Sequence, residues 1–489
     1  MRNGIRYNTF VLIILFITTT SAIPRPAYDH QSTLYKPHFP PLNLINYPIK
    51  YKPIVSPYYG IADMVQIIDD PNYHIRSLQI YTPSFSSWSY NNTHCAPFNS
   101  SCTGCDVNFV LNNEQFPLFK SLINLGYGHE YKHKQTSPNI QIITNDYNTH
   151  PCNQQIDLLT ALHIHGGIKI RYYRSTTFMH SKVLLIERAN RKTDENEYVT
   201  IISSINFSHT SFMKNRELGL IMIEHNNHQI YDYVTNVFDD DWNRGYDFTL
   251  NQSYSPSVID SIQRLYYSDV VIPNRISFNN CDPYYRFDDY VDQPLNITLY
   301  VSPDSSHDQL YHLLDSLNDT VSSHITAFNI SIYQITDQEF VNYLIDRNGI
   351  FRDKVHIYVS HYVYDQHDRT VAEQMYGLLE KYGYKVTKSK DLCLTFSHQK
   401  YMLIEYVGDG DITHCVAWIS TGNISPSDIP NMDCVERYGG FPPYDSHVNC
   451  WQPTNRDFNI IVHDDSSSDP TLFDQLSKLY QFDVDCSEL

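Results

Sequence analysis

Apolar and polar segments follow one another in the same order in two halves of the chain. In the first half, an apolar helical stretch at 156–162 precedes a Gly-Gly pair and then IKIRYY, TTFMHSKVLLIE, IISSINFS and NRELGLIMI. In the second half, a helical stretch at 371–379 precedes a glycine and then YKVTKS, LTFSHQKYMLIE, WISTGNIS and NRDFNIIV. β-Branched alternation predicts strands, and helical periodicity predicts the helices between them. The chain is therefore predicted to be an internal duplication.

Weaker correspondence extends the duplication upstream. A helix signal at 64–68 leads into HIRSLQIY, and a similar signal at 310–317 leads into HITAFNISIY. Strands that alternate with helices imply an α/β sheet in each half. We predict a first domain at 50–255 and a second at 290–489. The segment 23–49 is predicted to be an N-terminal extension, and the polar, Tyr-rich segment 256–289 is predicted to connect the domains.

Each copy of the repeat carries a histidine and a lysine two positions apart, namely His180 with Lys182 and His398 with Lys400. Such residues share one face of a strand, so each imidazole is expected beside its ammonium group. Imidazoles on either side of a phosphorus atom can supply a nucleophile and a proton donor, while lysines balance the negative oxygens. The duplicated motif predicts phosphodiester cleavage at one site, with no metal and no cofactor.

Further residues of the repeat complete the predicted site. The chain returns after each motif with a small-small-x-Asn segment, which brings Asn206 and Asn423 beside the two motifs to bind phosphate. Glu217 and Asp457 occupy matching positions in NRELG and NRDFN. We predict that these two carboxylates hold the catalytic imidazoles in one tautomer.

These residues resemble the phospholipase D superfamily, whose signature is HxKxxxxD followed by GSxN. The resemblance covers both halves and implies two pseudo-twofold-related α/β/α sandwich domains with the active site at their interface. The first histidine of the family usually serves as nucleophile, which implies that His180 is the nucleophile and His398 the general acid and base. Lys182, Lys400 and the two asparagines would bind the phosphate.

The chain departs from the family pattern at several positions. The motif Asp is replaced by Glu187 and Glu405, and the glycine of GSxN by Ser203 and Ser420. The two glutamates lie at odd spacing from the lysines, so we expect them to face away and to be structural. The second motif is similar to the lumenal branch of the superfamily, which includes lysosomal 5′-exonucleases that act on single-stranded nucleic acid.

The N-terminus predicts entry into the secretory pathway. Arg2 and Arg6 precede an apolar run from Phe10 to Thr18, and small residues up to Ala22 precede prolines. This pattern is typical of a signal peptide, 1–22, that is cleaved after Ala22. An uncleaved signal anchor is the alternative, although the run is short for a bilayer span. We expect a secreted or endolysosomal location.

The cysteines and sequons fit that compartment. The chain has 10 cysteines, an even number, which favours disulfides. Cys102 and Cys105 have zinc-ligand spacing, with Cys95 and His94 nearby, but no second CxxC completes a zinc site. Glycosylation is predicted at six sequons, namely Asn91, Asn99, Asn251, Asn296, Asn318 and Asn329.

Charge and sequence leave three functions open. A net charge of -19 repels polyanions at neutral pH, whereas protonation of the 23 histidines in an acidic compartment removes most of that repulsion. Our first hypothesis is a phospholipase D that cleaves phosphatidylcholine at a membrane surface, helped by Phe441, Tyr444 and Trp451. If Cys434 and Cys450 staple an ordinary loop, those rings have no such role. The alternatives are an acid exonuclease on single-stranded nucleic acid and an inactive lumenal glycoprotein.

Overall fold

The computed structural model describes residues 38–86, 117–132, 138–145, 159, 162–163, 167–173, 178–248, 274–275, 282–321, 325–390, 396–408, 413–431, 455–464 and 471–488. Several predictions fall outside these ranges: the signal peptide, the cysteine cluster at 94–105, the sequons at Asn91, Asn99 and Asn251, and the aromatic loop with Phe441, Tyr444 and Trp451. They stay predictions. Cys415 and Cys486 are the cysteines within the described ranges, so the disulfides also stay predicted.

The strands of the described residues alternate with helices along the chain. The strands are β1 (Leu42–Ser56), β2 (Tyr73–Tyr81), β3 (Phe85–Ser86), β4 (Asn139–Thr144), β5 (Lys169–Tyr172), β6 (Phe178–Met179), β7 (Val183–Asn190), β8 (Asn196–Ser203), β9 (Phe207–Ser208), β10 (Glu217–Glu224), β11 (Tyr246–Asp247), β12 (Val291–Ser302), β13 (Ile325–Ile332), β14 (Val355–Val359), β15 (Lys385–Lys388), β16 (Lys400–Val407), β17 (Thr413–Ser420) and β18 (Asn455–His463). The helices are α1 (Tyr59–Ile68), α2 (Pro117–Lys132), α3 (His209–Met213), α4 (Gln229–Arg244), α5 (Ser306–Val321), α6 (Gln338–Asp346), α7 (Asn348–Phe351), α8 (Gln366–Lys381) and α9 (Leu472–Glu488). Within the described ranges, no helix is both long and apolar enough to cross a membrane.

One continuous sheet runs through both halves in the order β11-β5-β4-β2-β7-β8-β10-β1-β12-β18-β17-β16-β13-β14-β15. From its centre outward, the first half reads β1, β10, β8, β7, β2, β4, β5, and the second reads β12, β18, β17, β16, β13, β14, β15. Strands with matching sequence segments occupy matching places. The antiparallel pair β1 and β12 joins the halves. The α/β class is confirmed, and the predicted duplication appears as a repeated strand order within a single sheet.

The N-terminal segment contributes to the centre of that sheet. Strand β1 begins at Leu42, inside the segment that we predicted to be an extension, and pairs with β10 on one side and β12 on the other. Its buried residues Tyr51 and Val55 contribute to the central core, which explains why the strand is held there. Residues from Leu42 onward therefore belong to the folded sheet.

Helices cover both faces because successive strand residues point to opposite faces. In β7, Leu184 and Ile186 enter a core with α1 and α2, whereas Val183 and Leu185 enter a core with α4 and α9. A third core packs the second half of the sheet against α5, α6 and α8. Since the core of α4 and α9 takes residues from both halves, the halves fold against each other over a shared apolar layer.

Two buried arginines link the halves through matching contacts. Arg216 Nε donates to Asp483 Oδ1 of α9 at 2.9 Å, and Arg456 Nε donates to Asp241 Oδ2 of α4 at 3.1 Å. Each arginine also donates to the carbonyl oxygen of the last residue of β1 or of β12. Each NR segment of the repeat thus holds the helix that ends the other half.

Candidate active site

The histidines of the two HxK segments lie before strands, which corrects our expectation that each whole motif lies inside a strand; Lys400 is the first residue of β16. His180 sits between β6 and β7, and His398 precedes β16. The backbone N–H of His180 donates to the carbonyl oxygen of Arg456 at 3.1 Å, and that of His398 donates to Arg216 at 2.7 Å. Each segment leaves its own sheet register because its backbone pairs with the NR segment of the other half. This exchange brings both motifs to the junction of the halves.

Each predicted tautomer-fixing carboxylate contacts the histidine of the opposite half. The distance between His398 Nδ1 and Glu217 Oε2 is 2.7 Å, and that between His180 Nδ1 and Asp457 Oδ1 is 3.1 Å. A carboxylate on Nδ1 keeps the proton there and leaves Nε2 to react. The sequence placed these four residues in one site, and the structure adds that each pair is formed between the two copies.

Buried hydroxyl groups orient the two carboxylates. Ser204 Oγ donates to Glu217 Oε2 and Thr421 Oγ1 donates to Asp457 Oδ1, both at 2.7 Å. Both hydroxyls come from the second small residue of the small-small-x-Asn segment, a role that we had not assigned. Burial alone would raise the pKa of Glu217. The opposing effect of His398 and its other partners is larger, so the pKa of Glu217 lies below its ordinary value. Glu217 is therefore held as a carboxylate.

The lysines are buried beside the histidines. Lys182 Nζ donates to the carbonyl oxygen of His180 at 2.5 Å, and Lys400 Nζ donates to that of His398 at 2.8 Å. Burial lowers the pKa of Lys182 to about 8. Burial, and then the charge of Lys182, lower the pKa of Lys400 well below its ordinary value. Two ammonium groups thus share one site, where an anionic group between them would relieve their repulsion.

The asparagines follow the strands β8 and β17 as predicted. Asn423 is buried, its backbone N–H donates to Asp428 Oδ2 at 2.8 Å, and its Oδ1 atom has no hydrogen-bond partner among the described residues. Asn206, at the matching place in the first half, is partly buried. The Oδ1 atom of Asn423 is therefore available to a hydrogen-bond donor.

Sequence reasoning missed Asp428, a third acid at the site. Its Oδ1 atom lies 3.4 Å from His180 Nδ1, and its side chain is buried. A signal was present in the repeat, since aligning INFSHTS with GNISPSD places Asp428 opposite Ser211. We had assigned no role to Asp428.

The surroundings of the two histidines differ. The Tyr333 ring contacts the His398 ring edge-on at 4.8 Å, and Phe396 lies 5.8 Å from it. Burial lowers the pKa of His398 to about 4, despite the opposing effect of Glu217. Burial and Lys182 also lower the pKa of His180, but Asp457 and Asp428 more than offset them, so its pKa is raised. Tyr333 was not foreseen, because nothing in the repeat marks it.

The motif glutamates lie away from the histidines. Glu187 of β7 accepts from Ser77 Oγ at 3.4 Å, and Glu405 of β16 accepts from Thr326 Oγ1 at 2.6 Å. Both partners lie on the neighbouring strands β2 and β13. We retain the structural role as a proposal.

Three groups at His180 are close enough to surround a cation. Ligand atoms of His180, Asp428 and Asp457 lie within 4.8 Å of one another. The contacts described above already engage all three side chains, and we assign them no metal.

Two predicted glycosylation sites can be placed within the described ranges. Asn296 is partly buried and its Oδ1 atom accepts from the backbone N–H of Asn46 at 2.8 Å. Asn329 is partly buried on β13, between β14 and β16. The backbone of Asn318 lies in α5. Glycosylation at each position stays a prediction.

Comparison with known proteins adds a family match. Residues 131–242, which include His180 and Lys182, match the family described as Cardiolipin synthase, PLD-like domain. No curated protein sequence matches the chain.

Solved structures with a similar arrangement were also found. Polyphosphate kinase from Porphyromonas gingivalis is 11% identical over 88% of this chain and 50% of its own, with a TM-score of 0.47. Phosphatidylserine synthase from Haemophilus influenzae is 10% identical over 89% of this chain and 88% of its own, with a TM-score of 0.49. The phospholipase D family member Nuc from Salmonella typhimurium is 15% identical over 41% of this chain and 98% of its own, with a TM-score of 0.26. This chain spans about half the length of the polyphosphate kinase.

The matched region holds one complete HxK motif, and the structure places the second motif at the corresponding point of a repeated strand order. Both motifs meet at one site through contacts between the copies. The chain is therefore similar to the phospholipase D superfamily in residues 131–242 and in its two HxK motifs.

Proposed function

We propose that this chain is a phospholipase D-type phosphodiesterase that cleaves membrane phospholipids such as phosphatidylcholine to phosphatidic acid and a free head group. The observation that carries the proposal is the exchanged pair of contacts, His398 with Glu217 and His180 with Asp457. These contacts direct two imidazole Nε2 atoms to one site that also holds two lysines. We further propose that the enzyme works in the lumen of the secretory pathway.

The first step forms a phosphohistidine. His180 Nε2 attacks phosphorus, the bond between phosphorus and the leaving oxygen breaks, and His398 gives its Nε2 proton to that oxygen. The head-group alcohol leaves. Lys182, Lys400 and the amides of Asn206 and Asn423 balance the charge on the remaining phosphoryl oxygens.

The second step releases the product. His398, now neutral, takes a proton from water, the oxygen of that water attacks phosphorus, and the bond between phosphorus and His180 Nε2 breaks. The products are a phosphomonoester and the starting form of both histidines. No step of this sequence uses a metal.

Two features support a lipid rather than a nucleic acid as substrate. The net charge of -19 opposes the approach of a polyanion at neutral pH. Tyr333 and Phe396, whose rings lie 5.5 Å apart, provide an aromatic surface beside His398. An acyl chain or a neutral head group can pack against such a surface without the charge penalty that a polynucleotide meets.

The test uses the protein purified from a eukaryotic secretion host, with His180→Ala as control, at about pH 5 and about pH 7. Choline release from phosphatidylcholine vesicles and shortening of a 5′-hydroxyl single-stranded oligonucleotide are measured side by side, with and without EDTA. We expect EDTA-resistant choline release that the control lacks. Oligonucleotide shortening without choline release would make the enzyme an exonuclease instead. Inactivity on both substrates would favour a binding glycoprotein.

A further inference from the structure

Different acids contact the two histidines: Glu217 contacts His398, whereas Asp457 and Asp428 contact His180. We define the His398 corner as Glu217 with Ser204 and Asn215. Here one glutamate uses both oxygens: Oε2 contacts His398 and accepts from Ser204, while Oε1 accepts from Asn215 Nδ2 at 3.2 Å. A single carboxylate thus makes the contacts to His398, Ser204 and Asn215.

The corresponding His180 corner, formed by Asp457, Asp428, Thr421 and Asn455, contains two carboxylates. Asp457 is one methylene shorter than glutamate, and its Oδ1 contacts His180 and accepts from Thr421. Asn455, which matches Asn215, donates instead to Asp428 Oδ1 at 2.5 Å. Asp428 therefore occupies the place that the second oxygen of Glu217 takes in the other corner, and it adds a negative charge there.

The backbone that presents Asp428 is repeated in the first half. The N–H of Asp428 donates to Ser425 Oγ at 3.2 Å, and the N–H of Ser211 donates to Ser208 Oγ at 3.3 Å. Both turns begin two residues after the asparagine of the motif, and both end on a buried side chain. The turns match in position and hydrogen bonding, so at this place the two copies differ in a side chain, Asp428 in one and Ser211 in the other.

We propose that Asp428 is a positioning residue that stabilises the positive charge on His180 while that ring carries the phosphoryl group. The inference rests on the proposed function, in which His180 keeps its Nδ1 proton when Nε2 bonds to phosphorus. That ring is then cationic, and the charges that face it are Lys182, Asp457 and Asp428. The negative charge of Asp428 offsets the ammonium group of Lys182, which favours the intermediate. His398 loses its charge in the same step, so one carboxylate suffices there.

The pKa directions assign the added negative charge to Asp428, because burial and the neighbouring Asp428 raise the pKa of Asp457. Asp457 and Asp428 raise the pKa of His180 against the effects of burial and Lys182. Burial alone would raise the pKa of Asp428. The opposing effect of the neighbouring His180 is larger, so the pKa of Asp428 is lowered and its carboxylate stays ionised.

The first experiment measures the proton affinity of His180 without relying on activity. Diethyl pyrocarbonate modifies neutral imidazole, and the His180 side chain is 16% exposed, so its modification can be followed by mass spectrometry across pH. The variants are Asp428→Asn, which keeps an acceptor but loses the charge, and Asp428→Ser, which reproduces the first copy. We expect the modification midpoint of His180 to move to lower pH by about one unit in both variants. The matched control, Ser211→Ala, should leave it unchanged.

The second experiment separates charge from geometry. In the double variant Asp457→Glu with Asp428→Ser, a glutamate can again accept from Asn455, as Glu217 does from Asn215, but the second charge is missing. We expect the thermal stability lost in Asp428→Ser to return, while the His180 midpoint stays low and formation of the phosphoenzyme stays about tenfold slower than in the unmodified protein.

Either of two results would overturn the proposal: an unchanged His180 midpoint in folded Asp428→Asn, or a phosphoenzyme that forms at the unmodified rate in that variant. Circular dichroism and melting confirm that each variant is folded. If the unmodified protein hydrolyses no diester, the proposed function fails, whereas a shifted midpoint would still show that Asp428 acts on His180.

Discussion

His180 meets two carboxylates at its Nδ1 atom, whereas His398 meets one carboxylate and the edge of the Tyr333 ring. The backbones around them are repeated, since both histidines donate to the NR segment of the other copy. The two copies of the repeat therefore share a backbone arrangement, and a few side chains make the surroundings of the two histidines different. In the proposed mechanism, the ring that becomes cationic has the additional charge of Asp428 beside it, and the ring that releases a proton does not.

The low pKa of His398, about 4, fits a proton donor only when substrate is present. Burial is the main cause, and Lys400 and Lys182 lower the pKa further. An anionic diester between the lysines offsets those charges, so its binding raises the pKa of His398 and loads it with the proton. His398 thus holds the proton that it donates only when the anionic substrate is bound.

The largest effect is expected when each histidine is removed in turn. His180→Ala and His398→Ala should each lower kcat by at least about 10³-fold on phosphatidylcholine. The rates of the two variants should differ on a diester with a p-nitrophenol leaving group, because this group departs without a proton. His398→Ala should then recover much of its rate, and His180→Ala should not. Equal recovery in both variants would show that the two corners do not divide the chemistry as described.

The arginines that hold the halves together test whether the copies depend on each other. Arg216→Met removes the arginine that pairs with buried Asp483, and Arg456→Met removes the arginine that pairs with Asp241 and Asp304. Either change should destabilise the fold by about 3–5 kcal/mol. Urea unfolding measures this change. The exposed pair of Arg76 and Asp194 provides the control, because its removal should cost less than about 1 kcal/mol.

A smaller effect separates the acids by pH. Glu217 raises the pKa of His398, so Glu217→Gln should lower that pKa further. A proton donor with a lower pKa is lost at lower pH, and the alkaline limb of kcat/KM should therefore move to lower pH. We expect a loss of roughly 10–100-fold at the optimum, as for other groups that orient a catalytic histidine. A shift of the acid limb instead would assign Glu217 to the nucleophile.

The smallest effect is expected at the glutamates of the signature. Glu187→Gln and Glu405→Gln alter side chains that contact Ser77 and Thr326 on neighbouring strands. Their changes in stability should stay within about 0.5 kcal/mol, with unchanged pH profiles. A displaced pH profile in either variant would show that the charge of that glutamate acts on the catalytic groups.

Local pattern predicted much of this site and of the fold. The repeated segments were sufficient to predict the α/β class, the two histidine–lysine motifs and the acids Glu217 and Asp457, because each leaves a mark at a fixed offset in sequence. The exchange of acids between copies was beyond such reasoning. Which copy supplies the partner of His180 depends on how the halves meet, and no offset within one copy reports it.

Other features escaped for different physical reasons. Asp428 departs from the repeat, so a search for matching positions passed over it, although the mismatch with Ser211 was visible. Residues 42–49 of strand β1 were assigned to an extension, yet Pro48 and Pro53 lie within a strand that pairs on both sides. The HxK segments were placed inside strands because their spacing fits one, whereas His180 and His398 lie before the strands and their backbones pair with the other half.

The most direct test of the account is to trap the covalent intermediate and locate it. The protein is mixed with phospholipid labelled at phosphorus, denatured in alkali, in which phosphohistidine survives, and digested for mass spectrometry. We predict label on the peptide of His180, absent from His180→Ala and retained in His398→Ala when the leaving group needs no proton. Label on the peptide of His398, or full turnover with no labelled histidine, would contradict the account.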